Sequence, residues 1–595
     1  MHLRTLAKLA TLTAALSVGL LAADSGQSLR FASVSPNDAV KELSGFEQLE
    51  TPAAMWIWSD KYVYQPGEQL SLNWTIKPNG DLIPYTLVAY RQNNQTGEKT
   101  YLPNGTTEAT DIFGNTVEQG FNIVRLPSAE KQTLVGSGGM FPAITLPSEL
   151  GMHTVVVEVR DYTGGRVVKA AYWKVGVVEG FEDITGDVTD NRTLVNTKAY
   201  RLSGLMIVRA GGVLNIEPGT FVIGQPGSQP PSAIIVSNSG RLEAKGTRSR
   251  PIIMTSSPPF GQRRAGDWGG VVMMGQAPVN WPSGTGNIEG LPPSDDTVYG
   301  GTDPEHNCGS MSYVRLEFAG AELRPNDEIN AFTWAGCGKQ TSLDHLQAHY
   351  GLDDSFEWFG GNNDAKYLLS SYPRDDNFDS QIGWTGRVQF FAAIINADNS
   401  NRGFEWDNNE NDFGAVPLNS PTFYNGTLVG DGDITDQGVD EGTVAGIYLR
   451  RGAGGSINNV VVQNWVDGGI NINDDATQAR LDAGELSLNG ILMWKNGMFS
   501  GAANDLAGQV NDRALTYVTT QAPNMMVADP MLRRPFEFSD IDFRPMLGSP
   551  VFRANWVQPP DDGFFDQTAR YNGAFADVDW TEEWTTTIQE QDMAK

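Results

Sequence analysis

The sequence predicts an all-β chain, with an N-terminal β-sandwich over 51–178 followed by a right-handed parallel β-helix over 190–595. Three observations predict it. Phe356, Phe378 and Phe404 lie 22 and 26 residues apart, and each is followed at once by a carboxylate, Glu357, Asp379 and Glu405. A repeat of twenty-odd residues that fixes an apolar side chain beside a polar one marks a solenoid. Alternation at period two then puts the ring inside a strand-built coil and the acid outside. The strands are short runs of Val, Ile, Phe and Tyr punctuated by Gly and Asn, without the long Ala, Glu, Lys and Leu runs of helical repeats. Ahead of the repeat, Leu70–Ile76 and His153–Val159 alternate in the manner of antiparallel strands.

In chain order, Arg4 and Lys8 precede the apolar run Leu9–Ala23, which ends in the small residues Ala22 and Ala23. Residues 1–23 therefore read as a secretory signal peptide, too short to span a bilayer. No Cys stands beside the run to carry a lipid, so the chain is expected to be exported, to the cell surface, the medium or a periplasm. Residues 24–50 are polar and mixed, and read as a linker. Several strands with Gly and Pro turns fill 51–178, among them Tyr62–Glu68 leading into Leu70–Ile76, and Asp161–Gly165 turning into Val167–Val178. That pattern fits an immunoglobulin- or macroglobulin-like sandwich, a spacer or binding module.

After an acidic joint at 179–190 the coils begin. Leu205–Val208, Val213–Ile216, Thr220–Ile223 and Ala233–Val236 read as short strands separated by Gly or Pro turns, followed by Arg241–Gly246, Pro251–Thr255 and a further strand over Trp268–Gly275. Counted from Ile329, the copy upstream of Phe356 lies 27 residues away; downstream, Ile447 and Ile470 are 23 apart. The 43 residues from Phe404 to Ile447 read as one coil with a long acidic loop around Asp431–Glu441. That loop has some calcium-loop flavour without EF-hand spacing. Asp542–Pro545 and Gly548–Pro550 break the repeat. The aromatic tail, Phe564, Phe565, Tyr571, Phe575, Trp580 and Trp584, is then expected to cap the last coil, because an open solenoid end recruits other strands.

Size and charge narrow the function. A chain of 595 residues exceeds one ordinary core. A formal charge of −29 repels nucleic-acid phosphates and anionic membranes, which are poor partners. Cys308 and Cys337 are 29 residues apart, about one coil, and in an exported chain read as a disulfide rather than a reactive thiol pair.

Neighbouring coils lie about 4.8 Å apart. In this register Glu357, Asp379 and Glu405 stack, with Asp353, Asp354, Asp375, Asp376 and Asp407 nearby. Two carboxylates about 5 Å apart repel by ~3 kcal/mol at an effective dielectric of 20. Protons, basic neighbours or a metal must offset that, and hard oxygen ligands at this density suit calcium. The alternative is that the acids splay into solvent or pair with Lys366, Arg374 and Arg387. His345 and His349 would lie ~13 Å apart along a strand, too far to share an ion. Trp358, Trp384 and Trp406 would form a sugar-stacking strip if exposed, or fill the core.

Gly266–Gly270, Asp353–Gly361, Asp542–Pro545 and the tail from Gly573 to Trp584 together resemble a family of exported bacterial parallel β-helix surface proteins. Leptospiral surface lipoproteins are among its relatives, and most members have no assigned activity. The resemblance covers about 190–595 and implies a pectin-lyase-like solenoid at the cell surface; the extended lateral face of such a solenoid is expected to meet polysaccharide or a surface protein. Self-assembly through the domain ends stays open. Parallel β-helices also host polygalacturonases and pectate lyases, so a carbohydrate-active hydrolase or lyase using the acidic strip is the alternative. The Gly-His-Gly and Arg-x-Lys elements of polygalacturonases do not occur, and no catalytic residue or organic cofactor is assigned.

Overall fold

The computed structural model describes residues 54–590, apart from 78–84, 161–166, 325–326, 397–399, 401, 432–442, 498–505, 521–523, 554–555 and short stretches between 102 and 142. The expected leader and linker and most of the acidic loop at Asp431–Glu441 lie outside the described residues. Among the described residues, no helix is long and apolar enough to cross a membrane.

The chain is all-β, a sandwich followed by a parallel β-helix. In the sandwich, Ala54–Trp58, Asn73–Lys77 and Leu134–Ser137 form one antiparallel sheet. Gly151–Arg160 forms the centre of another, between Tyr85–Asn93 and Val167–Val177. The solenoid begins earlier than expected. The acidic joint contains the strand Phe181–Val188, which pairs in parallel with Ala199–Val208. Its alternate residues Ile184 and Val188 are buried, which is enough to seat a strand whose other positions are polar.

Each coil carries strand segments for three parallel ladders. One runs through Val213–Ile216, Arg241–Lys245 and the first halves of Gly309–Glu317 and Ser342–His349. A second uses the later halves of those long strands, continuing through Asp364–Ser371 and Arg387–Ile394. The third stacks Gly270–Met274, Phe332–Ala335, Phe356–Phe359, Phe378–Gln381, Arg402–Trp406 and Ala445–Leu449. Within it Phe332, Phe356, Phe378 and Phe404 form an interior ring column at 5.3, 5.5 and 5.7 Å between centroids. Phe332 rather than Ile329 is therefore the upstream copy; Ile329 lies under a surface loop. Across the long insertion Phe404 pairs with Ile447, and Ile447 with Ile470, as the spacing predicted.

Cys308 and Cys337 form a disulfide, with their Cα atoms 5.8 Å apart. The downstream end of the coil is packed by the helix Asp512–Thr520, whose Ala514, Tyr517 and Val518 join the interior cluster. The aromatic tail does not lie over that end. It runs back along the side of the solenoid: Gly573 N–H donates to Asn459 O, Trp580 meets Tyr367 and Trp584 meets Tyr313. Glu590 then reaches Arg263 near the sandwich.

A buried acidic recess on the solenoid face

The acids sit on the outer side of the third ladder, as alternation dictates. Phe356, Phe378 and Phe404 face the coil interior, so the next residues, Glu357, Asp379 and Glu405, form an outward column in the predicted register. Thr333 precedes this column and Tyr448 follows it. A second column stands two residues before each ring: Asn330, Asp354, Asp376 and Arg402. Asp353 and Asp375 stand one residue earlier, half-buried at the recess mouth.

Outward does not mean solvent-exposed here. Glu357, Asp379 and Glu405 retain only 3%, 6% and 7% of their accessible surface. The segment 276–300, which includes the small hairpin Gly286–Asn287 with Val298–Tyr299, lays Val279, Ile288, Leu291 and Tyr299 against Val272, Phe359 and Ile382. The hairpin Glu322–Arg324 with Asp327–Glu328 flanks the same face. These two insertions bring Glu289 and Glu328 to a recess of about 190 Å³, whose other lining groups are the predicted acids except Asp407, with Asn330 and Gln381.

Arginines line one side of the recess. Arg402 faces Asp376 at 3.3 Å and Glu405 at 2.7 Å, and Arg450 reaches Glu405 and Asp407, each at 2.7 Å. Arg451 holds the other Asp407 oxygen at 2.6 Å, so Asp407 belongs to an arginine clamp beside the recess. The basic residues expected from sequence play no part in this: Arg387 pairs with Asp364 and Asp562, while Lys366 sits over the Phe564 ring. Glu357 and Asp354 are met by neutral donors. Asn330 donates to Glu357 Oε2, Gln381 donates to Glu357 Oε1 at 2.9 Å, and the Asp376 N–H donates to Asp354 Oδ1 at 2.9 Å.

The electrostatic consequence is strong. Burial raises the Asp353 carboxyl well above its ordinary range, and the charges of Asp375, Glu289 and Glu328 add to it. Burial does the same to Asp354, Glu357, Asp376 and Asp379, each with a neighbouring carboxylate as its next cause. For Glu405, burial outweighs Arg402 and Arg450 and leaves the carboxyl at about 7. Such a site takes up protons or cations, because buried carboxylates at this spacing cannot all stay charged unaided. Oxygens of Asp353, Asp354 and Asp375 lie within 4.8 Å of one another, as do those of Asp354, Glu357 and Asp379.

The other candidates are structural. Trp358, Trp384 and Trp406 are fully buried, Trp358 and Trp384 stacked at 4.5 Å, so they make no sugar platform. His345 is stacked between Tyr313 and Tyr367, both at 4.2 Å. His349 is buried against Ser371, its imidazole lowered to about 3 by that burial. Glu289, Asn330, Gln381, Arg402 and Arg450 were not singled out from sequence. Arg402 and Asn330 carried a signal, two residues before a ring; Glu289 carried none.

Residues 186–528 match the family described as a pectate-lyase-like β-helix domain. Among solved structures, the chain is similar to the family 28 exopolygalacturonase of Yersinia enterocolitica, at 8% identity and a TM-score of 0.19, over 75% of this chain and 92% of that one. It is also similar to the catalytic domain of a GH87 α-1,3-glucanase solved with tetrasaccharides, at 9% identity and a TM-score of 0.18, over 81% and 98%. Both likenesses are too remote to bear on the site. No curated protein matches the sequence. With its parallel ladders and more than half of its length matched, the chain belongs to the pectate-lyase-like β-helix domain family.

Proposed function

We propose that this is an exported, cell-surface or extracellular binding protein whose β-helix is stabilised by calcium in the acidic recess. The rigid solenoid would present its lateral face to polysaccharide or to a surface protein. The observation that carries the reading is the set of buried Asp354, Glu357 and Asp379 with half-buried Asp353, which no arginine or lysine pairs among the described residues. All-oxygen donors at this density favour a hard cation of calcium's size and coordination number. Resemblance to exported β-helix surface proteins, the leptospiral lipoproteins among their relatives, supports the location.

Thermal unfolding with calcium and with a chelator tests this. A calcium-dependent rise of several degrees in melting temperature is expected, and its loss in Glu357→Ala/Asp379→Ala. An unchanged melting temperature would sink the reading.

A second reading is a carbohydrate-active hydrolase or lyase. It is favoured by the Glu405 carboxyl, raised to about 7 where a general acid would operate, beside the column of further carboxylates. Turnover of acidic polysaccharide, abolished in Glu405→Gln, would establish it in place of the first.

A further inference from the structure

We infer that the recess binds two divalent cations, with Asp354 shared between them. The inference rests on the cation-binding reading above and adds stoichiometry.

Two ligand sets overlap at one residue. Asp353, Asp354 and Asp375 form a set at the mouth, where Asp353 and Asp375 are half-buried. Asp354, Glu357 and Asp379 form a set on the floor, all three buried. Each set brings its oxygens within 4.8 Å of one another, the compactness one cation needs. Asp354 alone belongs to both. Its Oδ1 accepts the Asp376 N–H at 2.9 Å, which fixes the carboxylate between the sets.

Charge balance points the same way. Asp353, Asp354, Glu357 and Asp379 make no ion pair among the described residues, whereas Asp376, Glu405 and Asp407 are paired to Arg402, Arg450 and Arg451. With Asp375 included, the two sets carry five carboxylates, so one divalent ion leaves three of those charges uncompensated and two ions leave one. A separate feature also points to a ligand. Asp376 Oδ1 and Asp379 Oδ1 are buried without a hydrogen-bond partner, on residues only 2% and 6% exposed that line the recess. A buried carboxylate oxygen without a donor is costly unless a cation meets it.

Calcium is the probe, because it accepts six to eight oxygens and irregular, carboxylate-bridged geometry, where magnesium demands a near-ideal octahedron.

Equilibrium dialysis and calorimetric titration of the full chain, stripped with chelator, decide the question. Two calcium ions per chain are expected, falling to one in Asp353→Asn and one in Glu357→Gln. Asp354→Asn should weaken both sites by about tenfold or more. These substitutions keep side-chain volume, and near-ultraviolet circular dichroism checks the fold. If Asp354→Asn fails to fold, the Asp353→Asn/Glu357→Gln double variant replaces it and should bind none. One ion in the unmodified chain would overturn the two-ion inference and leave calcium binding standing. No ion at all would overturn both.

Discussion

Glu405 shows how position sets the chemistry of a side chain in this fold. Its carboxyl stands at about 7, against 4.5 for an ordinary glutamate, because burial outweighs two arginines. Between those values the folded chain holds a proton that the unfolded chain has released, so stability falls as pH rises through this window. The stabilisation is complete below 4.5 and gone above 7. The raised carboxyls of Asp353, Asp354, Glu357, Asp376 and Asp379 have the same sign. Glu317 opposes them only below the usual carboxylate range, its carboxyl lowered against burial by Arg315 and Arg263, whereas His349, held by burial at about 3 against 6.5, and the likewise lowered His153 and His306 oppose them as pH falls through 6.5. In chelator, calorimetry should therefore give a higher melting temperature at pH 5 than at pH 7.5, and calcium should flatten the difference by competing with protons. The acids' share is what Glu405→Gln removes, so an unchanged difference between pH 5 and pH 7.5 in that variant would contradict the buried-acid picture.

The turns between ladder strands carry a different constraint. Tyr313, His345, Tyr367, Phe390, Asn425 and Asn459 occupy one bend in successive coils, all at φ between 46° and 62°. This left-handed region suits Asn and is unfavourable to most side chains. The aromatic members are held by stacking on one another, and Trp580 and Trp584 cover part of the column. Asn459 is held by the tail: its Nδ2 donates to Val557 O at 2.8 Å, and its Oδ1 accepts the Val557 N–H at 2.7 Å. Asn459→Ala should cost about 2–4 kcal/mol from two lost hydrogen bonds and a strained bend, and Asn459→Gly about 1 kcal/mol less. Urea unfolding of the pair separates the two contributions; equal losses would show that the bend imposes no strain.

Across the whole molecule, the tail ties the solenoid to the sandwich. Arg263 sits between Glu317 and Glu590, all three buried, and the sandwich residue Tyr62 donates to Glu317 at 3.1 Å. Lys77, Lys169 and Lys174 of the sandwich pair with Glu537, Asp540 and Glu583. Phe221 and Ile253 of the solenoid join the sandwich core, as does Ile588 of the tail. Glu590→Ala leaves Arg263 one buried partner instead of two, and should cost about 2–3 kcal/mol. Limited proteolysis should then cleave the tail faster than in the unmodified chain. Unchanged cleavage would mean that this ion pair does not hold the strap.

What the sequence determined by itself was the coil and the column of acids on it. The interior of each turn must be filled by stacked rings, so Phe356, Phe378 and Phe404 fix the register, and period two places Glu357, Asp379 and Glu405 together outside. Both are local rules, legible from spacing. At Ile329 the same counting slipped by three residues, because an apolar residue under a loop looks like one inside a coil. Only the tertiary structure decided that the acids are buried, which of them arginines pair, and that the tail straps the side rather than closing the end. Those outcomes depend on segments remote in sequence, such as Glu289 and Glu328 reaching the recess from two insertions. Burial is a property of what packs over a residue, and no period in the chain encodes it.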